Sequence, residues 1–414
     1  MTIYTLILYT AIAAAIVSGL TSLIRKPTSW GMDYLKNYVG CLLIFSGYVK
    51  AIDPMGTAFK MEQYLSEFPI LEFLKPLALF GSVTMIVLEL VLGAALILGV
   101  YRKLTVWTLV PLMVVFTLLT GYTSVTGNVT DCGCFGDFLK LKPIVSFMKD
   151  IGLSIATALL VWKWRDITPL FAKNKFISPG IVGFVTLATT WFCFSNFYTG
   201  LPSTDFRPFA NGTNLPAAKA LEEADKPMSN TYYTIVNSET KEEKEVLTTE
   251  YTAKPEYWKK PTPWSVDKTR TRQVVIKEGS DSKLLEFEYQ NDQGMDVMEE
   301  TMSNPDYSLM VISYSRKKAN KDGFKRVNSI INAAEKEGKK AFCVTNFQAK
   351  EGEIDEFRHE IQAAYPFYTA DDIMLKTIIR SNPGLILLKN GTIIHKFHHR
   401  ELSDYATLKK NYMK

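Results

Sequence analysis

Four apolar runs constrain what this chain can fold into. Ile3–Ile24, Leu104–Ser124 and residues 176–197 carry no charged residue, and Leu77–Val100 carries only Glu89. A hydrocarbon core of about 30 Å takes roughly 20 residues of helix per crossing, so each run can span it. The first run lacks the short apolar stretch and small-residue cleavage site of a signal peptide and reads as a retained helix. Two weaker runs, Asn37–Val49 and Ile151–Trp162, are short enough to be interfacial segments; counting both gives six spans. Lys36 and Lys50 would then snorkel at the ends of one, with Lys149 at an interface beside the other. Beyond the last run the chemistry changes. Residues 1–204 hold 25 charged side chains and residues 205–414 hold 64. The chain therefore reads as an α-helical polytopic membrane bundle followed by a water-soluble α/β region. A single globular domain and a disordered chain are excluded. A net charge of +5 without a long basic run also excludes a dedicated nucleic-acid binder.

Cytoplasmic loops of membrane proteins carry an excess of Lys and Arg. The turns after spans 1, 3 and 5 hold nine such residues against six on the other face, and the compact Arg102-Lys103 turn is the clearest marker. Both ends of the chain are expected outside the cytoplasm, with the bundle in a cell inner membrane and the C-terminal region periplasmic.

Five cysteines are too few and too scattered for a disulfide scaffold. One pair is close, in Asp131-Cys132-Gly133-Cys134-Phe135-Gly136-Asp137 between spans 4 and 5. Thiols either side of a single glycine can join only through a small strained ring, which is easily reduced and suits exchange rather than structure. The residues leave three readings open. The pair is redox-active on the oxidising face, or it is a tight Gly-rich turn with inert thiols, or it binds zinc with the flanking carboxylates. Structural zinc usually takes four N/S donors, so no metal site is expected. Glu89 lies mid-span, where a carboxylate points to proton handling, a ligand contact, a buried pair, or a neutral acid bonded to Ser or Thr. Gly93 and Gly99 on the same run fit close helix packing.

Gly47-Tyr48-Val49-Lys50-Ala51-Ile52-Asp53-Pro54, Leu88–Gly93 and the Asp131–Asp137 motif together resemble the DoxX/MauE class of four-helix membrane proteins, over Asn37–Asp166. That class includes a methylamine-utilisation protein needed to mature a disulfide-rich dehydrogenase subunit, and a subunit of a quinone-linked thiosulfate oxidoreductase. The resemblance implies membrane thiol or quinone chemistry, with Cys132 and Cys134 as the redox pair and a quinone as acceptor. Ile3–Arg25 and residues 176–197 lie outside it.

Residues 200–230 read as a linker rich in Pro, Asn, Gly and Ala. The short β-prone pieces Tyr232–Val236, Val246–Tyr251, Gln273–Lys277 and Leu284–Tyr289 follow. From about Tyr307 strands and helices alternate: Ser308–Tyr314, Lys321–Glu337, Lys340–Thr345, Ile354–Ala364 and Ile373–Arg380. Leu385–Leu388 and Thr392–Phe397 come next, joined by Asn390-Gly391, the strongest short-range hairpin signal. This order resembles the thioredoxin fold, with Pro383 at the place of its cis-proline. Where thioredoxins carry Cys-x-x-Cys, this chain reads Tyr314-Ser315-Arg316-Lys317-Lys318-Ala319-Asn320. Cys343 reads as a buried core residue, and His395, His398 and His399 as exposed. The whole arrangement also resembles an uncharacterised family of Bacteroidota that joins a DoxX-like membrane region to a periplasmic thioredoxin-like region.

The expected organisation is a membrane helix and cytoplasmic turn (1–36), a DoxX/MauE-like four-helix domain (37–166) and a sixth helix (167–199). A linker with a small β-rich region (200–299) and a thioredoxin-like domain without Cys-x-x-Cys (300–414) follow. Two functions compete. The first is a thiol/quinone-linked redox or disulfide-maturation component: Cys132 and Cys134 exchange with a periplasmic thiol-disulfide partner, a quinone takes the electrons and Glu89 handles protons. The second is a non-enzymatic scaffold in the lipid bilayer whose redox-silent domain binds a periplasmic client.

Overall fold

The computed structural model describes residues 2–127, 133–174, 176–226, 228–277, 279, 284–346 and 352–413. Its N-terminal half is helical: α1 (Ile3–Ile24), α2 (Trp30–Ile52), α3 (Pro54–Glu67), α4 (Ala78–Leu98), α5 (Arg102–Thr126), α6 (Pro143–Trp162) and α7 (Ile177–Phe194). Among the described residues five segments are long and apolar enough to cross a membrane. The pair α2–α3, bent by 97°, makes a sixth if it counts as one span. The chain is a multi-pass membrane protein.

The bend follows from Asp53-Pro54. Proline has no N–H to donate and clashes with the preceding turn, so α2 ends there and Pro54 starts the next helix. The Asp53 carboxylate caps α3 by accepting from the Gly56 N–H at 2.8 Å. Both weak sequence runs lie inside full-length helices, the 23-residue α2 and the 20-residue α6. Charged residues near their ends had made them look short.

Those charges do not snorkel. Lys36 and Lys50 are buried, with Nζ 3.1 Å from Asp33 and 2.6 Å from Glu89 respectively. A carboxylate within reach offsets the desolvation of each ammonium inside the bundle, so neither side chain must stretch to water. Without these two and Lys149, the cations that set orientation number eight against four, the same bias. The α2 and α4 backbones nearly touch: a Cβ on Gly93 would lie 2.8 Å from the Gly40 carbonyl oxygen. Only glycine permits that approach. Helix α1 packs on α2, α7 on α4, and α5 on α6.

The second half begins with α8 (Leu215–Ala224). Strands β1 (Met228–Asn237), β2 (Glu243–Leu247) and β3 (Trp264–Lys277), with α9 (Thr248–Ala253), make an antiparallel sheet ordered β2-β1-β3. After α10 (Met298–Met302) come β4 (Tyr307–Ser313), α11 (Lys321–Lys336), β5 (Lys340–Asn346), α12 (Glu353–Ile361) and β6 (Phe367–Ala370). The chain ends with α13 (Asp372–Ile378), β7 (Gly384–Lys389), β8 (Thr392–His398) and α14 (Tyr405–Tyr412). The second sheet is ordered β6-β5-β4-β7-β8, with β4, β5 and β6 parallel and β7 and β8 antiparallel to their neighbours. Alternation along β4 sends Leu309 and Val311 to one face, under α11, α12 and α14. Met310 and Ile312 go to the other, under α13. Covering both faces explains why these strands are continuous apolar runs. Asn390 and Gly391 both take positive φ at the hairpin, and the Asn382-Pro383 peptide is cis.

Three stretches differ from their sequence reading. Within the span read as a linker, Phe209 and Leu215 are fully buried against the large sheet, and the Ile393 N–H donates to the Thr213 carbonyl at 2.9 Å. Leu284–Tyr289 is not a strand; its alternating aromatics clasp the sheet instead, Tyr289 lying 5.9 Å from Phe342. His398 and His399 are buried rather than exposed. Helix α11 comes close over them at Gly323, and Ser381 bonds the His399 Nδ1 at 3.0 Å.

Candidate functional site

Cys132 and Asp131 lie outside the described residues; the rest of the motif is in place. Gly133 and Gly136 take φ of +64° and +52°, and the Gly136 N–H donates to the Gly133 carbonyl at 3.1 Å, closing a tight turn. Phe135 anchors the turn. It is fully buried, 5.9 Å from the Phe45 ring, and the Lys149 ammonium lies 5.3 Å from its centroid. Ser46 on α2 donates to the Cys134 carbonyl at 3.0 Å. Cys134 is therefore held, half-buried, over the bundle.

Beneath it is a mostly apolar cavity of about 320 Å³, walled by α2, α3, α5 and α6 and reaching Cys134, Lys50, Phe116 and Asp150. Two ion pairs border it. Lys50 and Glu89 meet at 2.6 Å, with the ammonium 5.2 Å from the Phe116 centroid. Lys149 and Asp150 also meet at 2.6 Å, and Asp150 accepts from the Thr120 hydroxyl at 3.0 Å. The second Glu89 oxygen is buried without a hydrogen-bond partner among the described residues. Glu89 thus sits in a buried pair with Lys50, one of the arrangements named from the sequence.

Above the turn, Asp137 turns toward the C-terminal domain. Arg380, between α13 and β7, reaches Asp137 and Asp53 at 2.9 Å each and is almost wholly buried. One guanidinium thus ties the Cys motif and the α2–α3 bend to the C-terminal α/β domain. Its fork can satisfy two carboxylates at once, which a lysine could not do with the same geometry. Phe59 packs edge-on to Tyr314 at 5.6 Å, and Lys318 meets Glu62 at 3.0 Å. The loop after β4 therefore faces helix α3 of the N-terminal half. A second cavity, of about 500 Å³, lies under this seam, and Gly133 borders both cavities.

The structure brings Cys134 and Lys50, the partner of Glu89, to one cavity. It leaves Cys343 sealed in β5, where burial pushes its thiol far above the ordinary cysteine range. Cys193 is buried on α7 and Cys41 half-buried on α2. Among the described residues no cluster of three His, Cys, Asp or Glu is placed to hold a metal. Sequence reasoning missed Lys50, Asp150 and Arg380. Lys50 could have been found as a charge at the edge of one apolar run with an opposite charge inside another, and Asp150 as a carboxylate beside Lys149 at the edge of its own run. Arg380 carries no comparable signal, because its partners are 327 and 243 residues away.

The family described as "Methylamine utilisation protein MauE" matches residues 28–163, from the start of α2 to the end of α6. Protein TlpB of Flavobacterium psychrophilum is 33% identical over 122 residues, 29% of this chain. That match covers 32% of TlpB, so the chain spans about a third of the length of the curated relative it matches. No solved structure matches.

Proposed function

We propose that this protein is a membrane thiol oxidoreductase in which Cys132 and Cys134 relay two electrons from a periplasmic dithiol to a quinone-type acceptor in the bilayer. The observation that carries the reading is the position of Cys134, at the mouth of an apolar intramembrane cavity bordered by buried ion pairs. The match to the methylamine-utilisation family over the same helices supports it. In the first half-reaction a client thiolate attacks the Cys132–Cys134 disulfide and forms a mixed disulfide. A second client thiolate resolves it, so the client is oxidised to a disulfide and the pair reduced to two thiols. In the second half, the dithiol gives two electrons and two protons to the quinone, leaving a quinol and the restored disulfide. Lys50 and Glu89 are the groups we assign to proton supply, since the ammonium faces the cavity and the carboxylate stands behind it.

We read the five-stranded domain as thioredoxin-like from its strand order, and as a docking module because Tyr314–Asn320 has no thiol pair. The scaffold reading keeps one observation in its favour: that loop is engaged with the protein's own bundle. One experiment separates the two. Cys132→Ser with Cys134→Ser should abolish client oxidation with helix insertion intact, and a client with one of its two cysteines replaced by serine should accumulate as a mixed disulfide with the parent protein, because the thiolate that resolves it is gone. Full complementation by the double variant sinks the redox reading and leaves the scaffold. Reporter fusions after Arg102 and after Thr204 should fall on opposite sides of the membrane; one side for both overturns the periplasmic placement.

A further inference from the structure

The 500 Å³ cavity above the Cys motif does not end at the seam. Phe59, Glu62, Asp372 and Lys376 border it and also border a wider space of about 920 Å³ that runs under Tyr314–Lys318. The two spaces therefore adjoin, side by side, along one groove at the seam. Its floor is α3 and the turn at Gly133 and Gly136; its roof is α13 and the loop after β4. The roof is fixed at several points. Arg380 grips Asp53 and Asp137, Lys318 grips Glu62, and the Arg400 guanidinium donates to the Tyr198 carbonyl at 2.8 Å while lying 3.9 Å from its ring.

We propose that this groove admits an extended, cysteine-bearing segment of an unfolded client polypeptide and leads it to Cys134. The proposal rests on the redox reading above and names its substrate class. Size argues first. A folded domain of 100 residues has a radius of gyration of about 13 Å, so it cannot enter between surfaces joined by contacts of about 3 Å on both sides. A single extended chain can. Wall chemistry argues second. Apolar Phe59, Tyr314 and Ile373 alternate with charges of both signs, Lys60, Glu62 and Lys376. An extended strand presents side chains to alternate sides and suits such a mixed lining, whereas a small anionic thiol needs neither the length nor the carboxylates. Proximity argues third, because Gly133 lines both the inner end of the groove and the intramembrane cavity, and Cys134 is the next residue.

The test offers the full-length protein in detergent, with a water-soluble quinone, three dithiols in turn. These are dithiothreitol, an unstructured peptide with two cysteines, and a folded protein with an exposed cysteine pair. The peptide should be oxidised with a kcat/KM at least about 100-fold above that of the folded protein. Equal values for the two overturn the groove. If dithiothreitol itself is not oxidised, the redox reading fails instead. The groove is then decided separately, by a photoreactive side chain in place of Ile373, which is half-exposed at its edge. A crosslink to a serine-substituted peptide, competed away by excess unmodified peptide, supports it; no crosslink overturns it. In the working enzyme, Ile373→Trp should raise the peptide KM by about tenfold or more with kcat little changed. An unchanged KM counts against the groove.

Discussion

The two halves of this chain bury thiols and charges in opposite ways. In the bundle the cations Lys36, Lys50 and Lys149 lie inside, each beside its own carboxylate, and Cys134 borders a cavity. In the α/β domain the cores on both faces of the sheet are apolar and Cys343 is sealed within one of them. The domain's buried charge, Lys219 apart, lies at the seam, where Asp205 holds Arg207 and Lys396 and Arg380 holds Asp53 and Asp137. Burial raises the Asp205 carboxyl, but the Arg207 and Lys396 charges outweigh it and hold it at about 2. Lipid offers no water to solvate a charge, so each must be matched where it stands; a soluble domain can move its charges to an edge and use them for docking.

The contrast between the two thiols gives the largest expected effect. Cys134→Ser should lower client oxidation by about 1000-fold, while Cys343→Ser changes it by about twofold or less. In the native protein Cys343 should resist alkylation until denaturant is added, because its thiolate is disfavoured by burial. Rapid native labelling of Cys343 together with loss of activity would move the active thiol into the soluble domain.

The charge contrast is tested next. Glu89→Leu leaves the Lys50 ammonium buried and without its carboxylate, and should destabilise the bundle by about 3–5 kcal/mol in a detergent melt. Adding Lys50→Met should recover most of that loss, since an apolar pair of similar volume replaces the ion pair. Proton supply would not be recovered, so the double variant should be stable and slow. If it regains both, Glu89 and Lys50 are only structural.

Arg380→Gln should act at the seam alone. It removes the cation shared by Asp53 and Asp137 and should weaken domain docking by about 2–5 kcal/mol, read as faster proteolysis between Thr199 and Phe209. Helix melting should shift far less. A bundle that melts with the seam would show that the two halves are one cooperative unit.

How legible each half was follows from the range of its interactions. Spans, the Asp53-Pro54 break, the close approach at Gly93 and the Asn390-Gly391 hairpin depend on neighbours along the chain or on a strict period, and these could be read directly. The partners of Lys50 and Arg380 could not, because 39 and more than 200 residues separate them. Phe209, Phe287 and Tyr289 show a third case. Their segments carry turn or strand patterns, but what fixes them is the open face of a sheet formed later in the chain. The Cys motif was legible as chemistry; the cavity beneath it exists only once α2, α3, α5 and α6 assemble.

The smallest effect concerns acid and the soluble half. His398 is held down to about 3, by burial first and then by the His399 and Arg400 charges; His399 is held to about 4, by burial and then Arg400. Both are thus neutral in the folded protein across the range where an unfolded histidine, near 6.5, takes up its proton. Below pH 6.5 the unfolded state binds more protons than the native state, so this stability is fully present above that pH and drains as pH falls toward 4. Glu401 works against the trend, since burial raises its carboxyl and its protonation in the fold is favoured as pH falls. The net loss should be about 2 kcal/mol per pH unit between pH 6 and 5, read as a falling melting temperature of the full-length protein. His398→Gln should flatten that slope by about half, because one of the two protons no longer distinguishes folded from unfolded chain. The bundle transition, which contains no histidine, should keep its midpoint over the same range. A bundle midpoint that falls in parallel would mean that the carboxylates inside it, not the buried imidazoles, set the acid limit of the molecule.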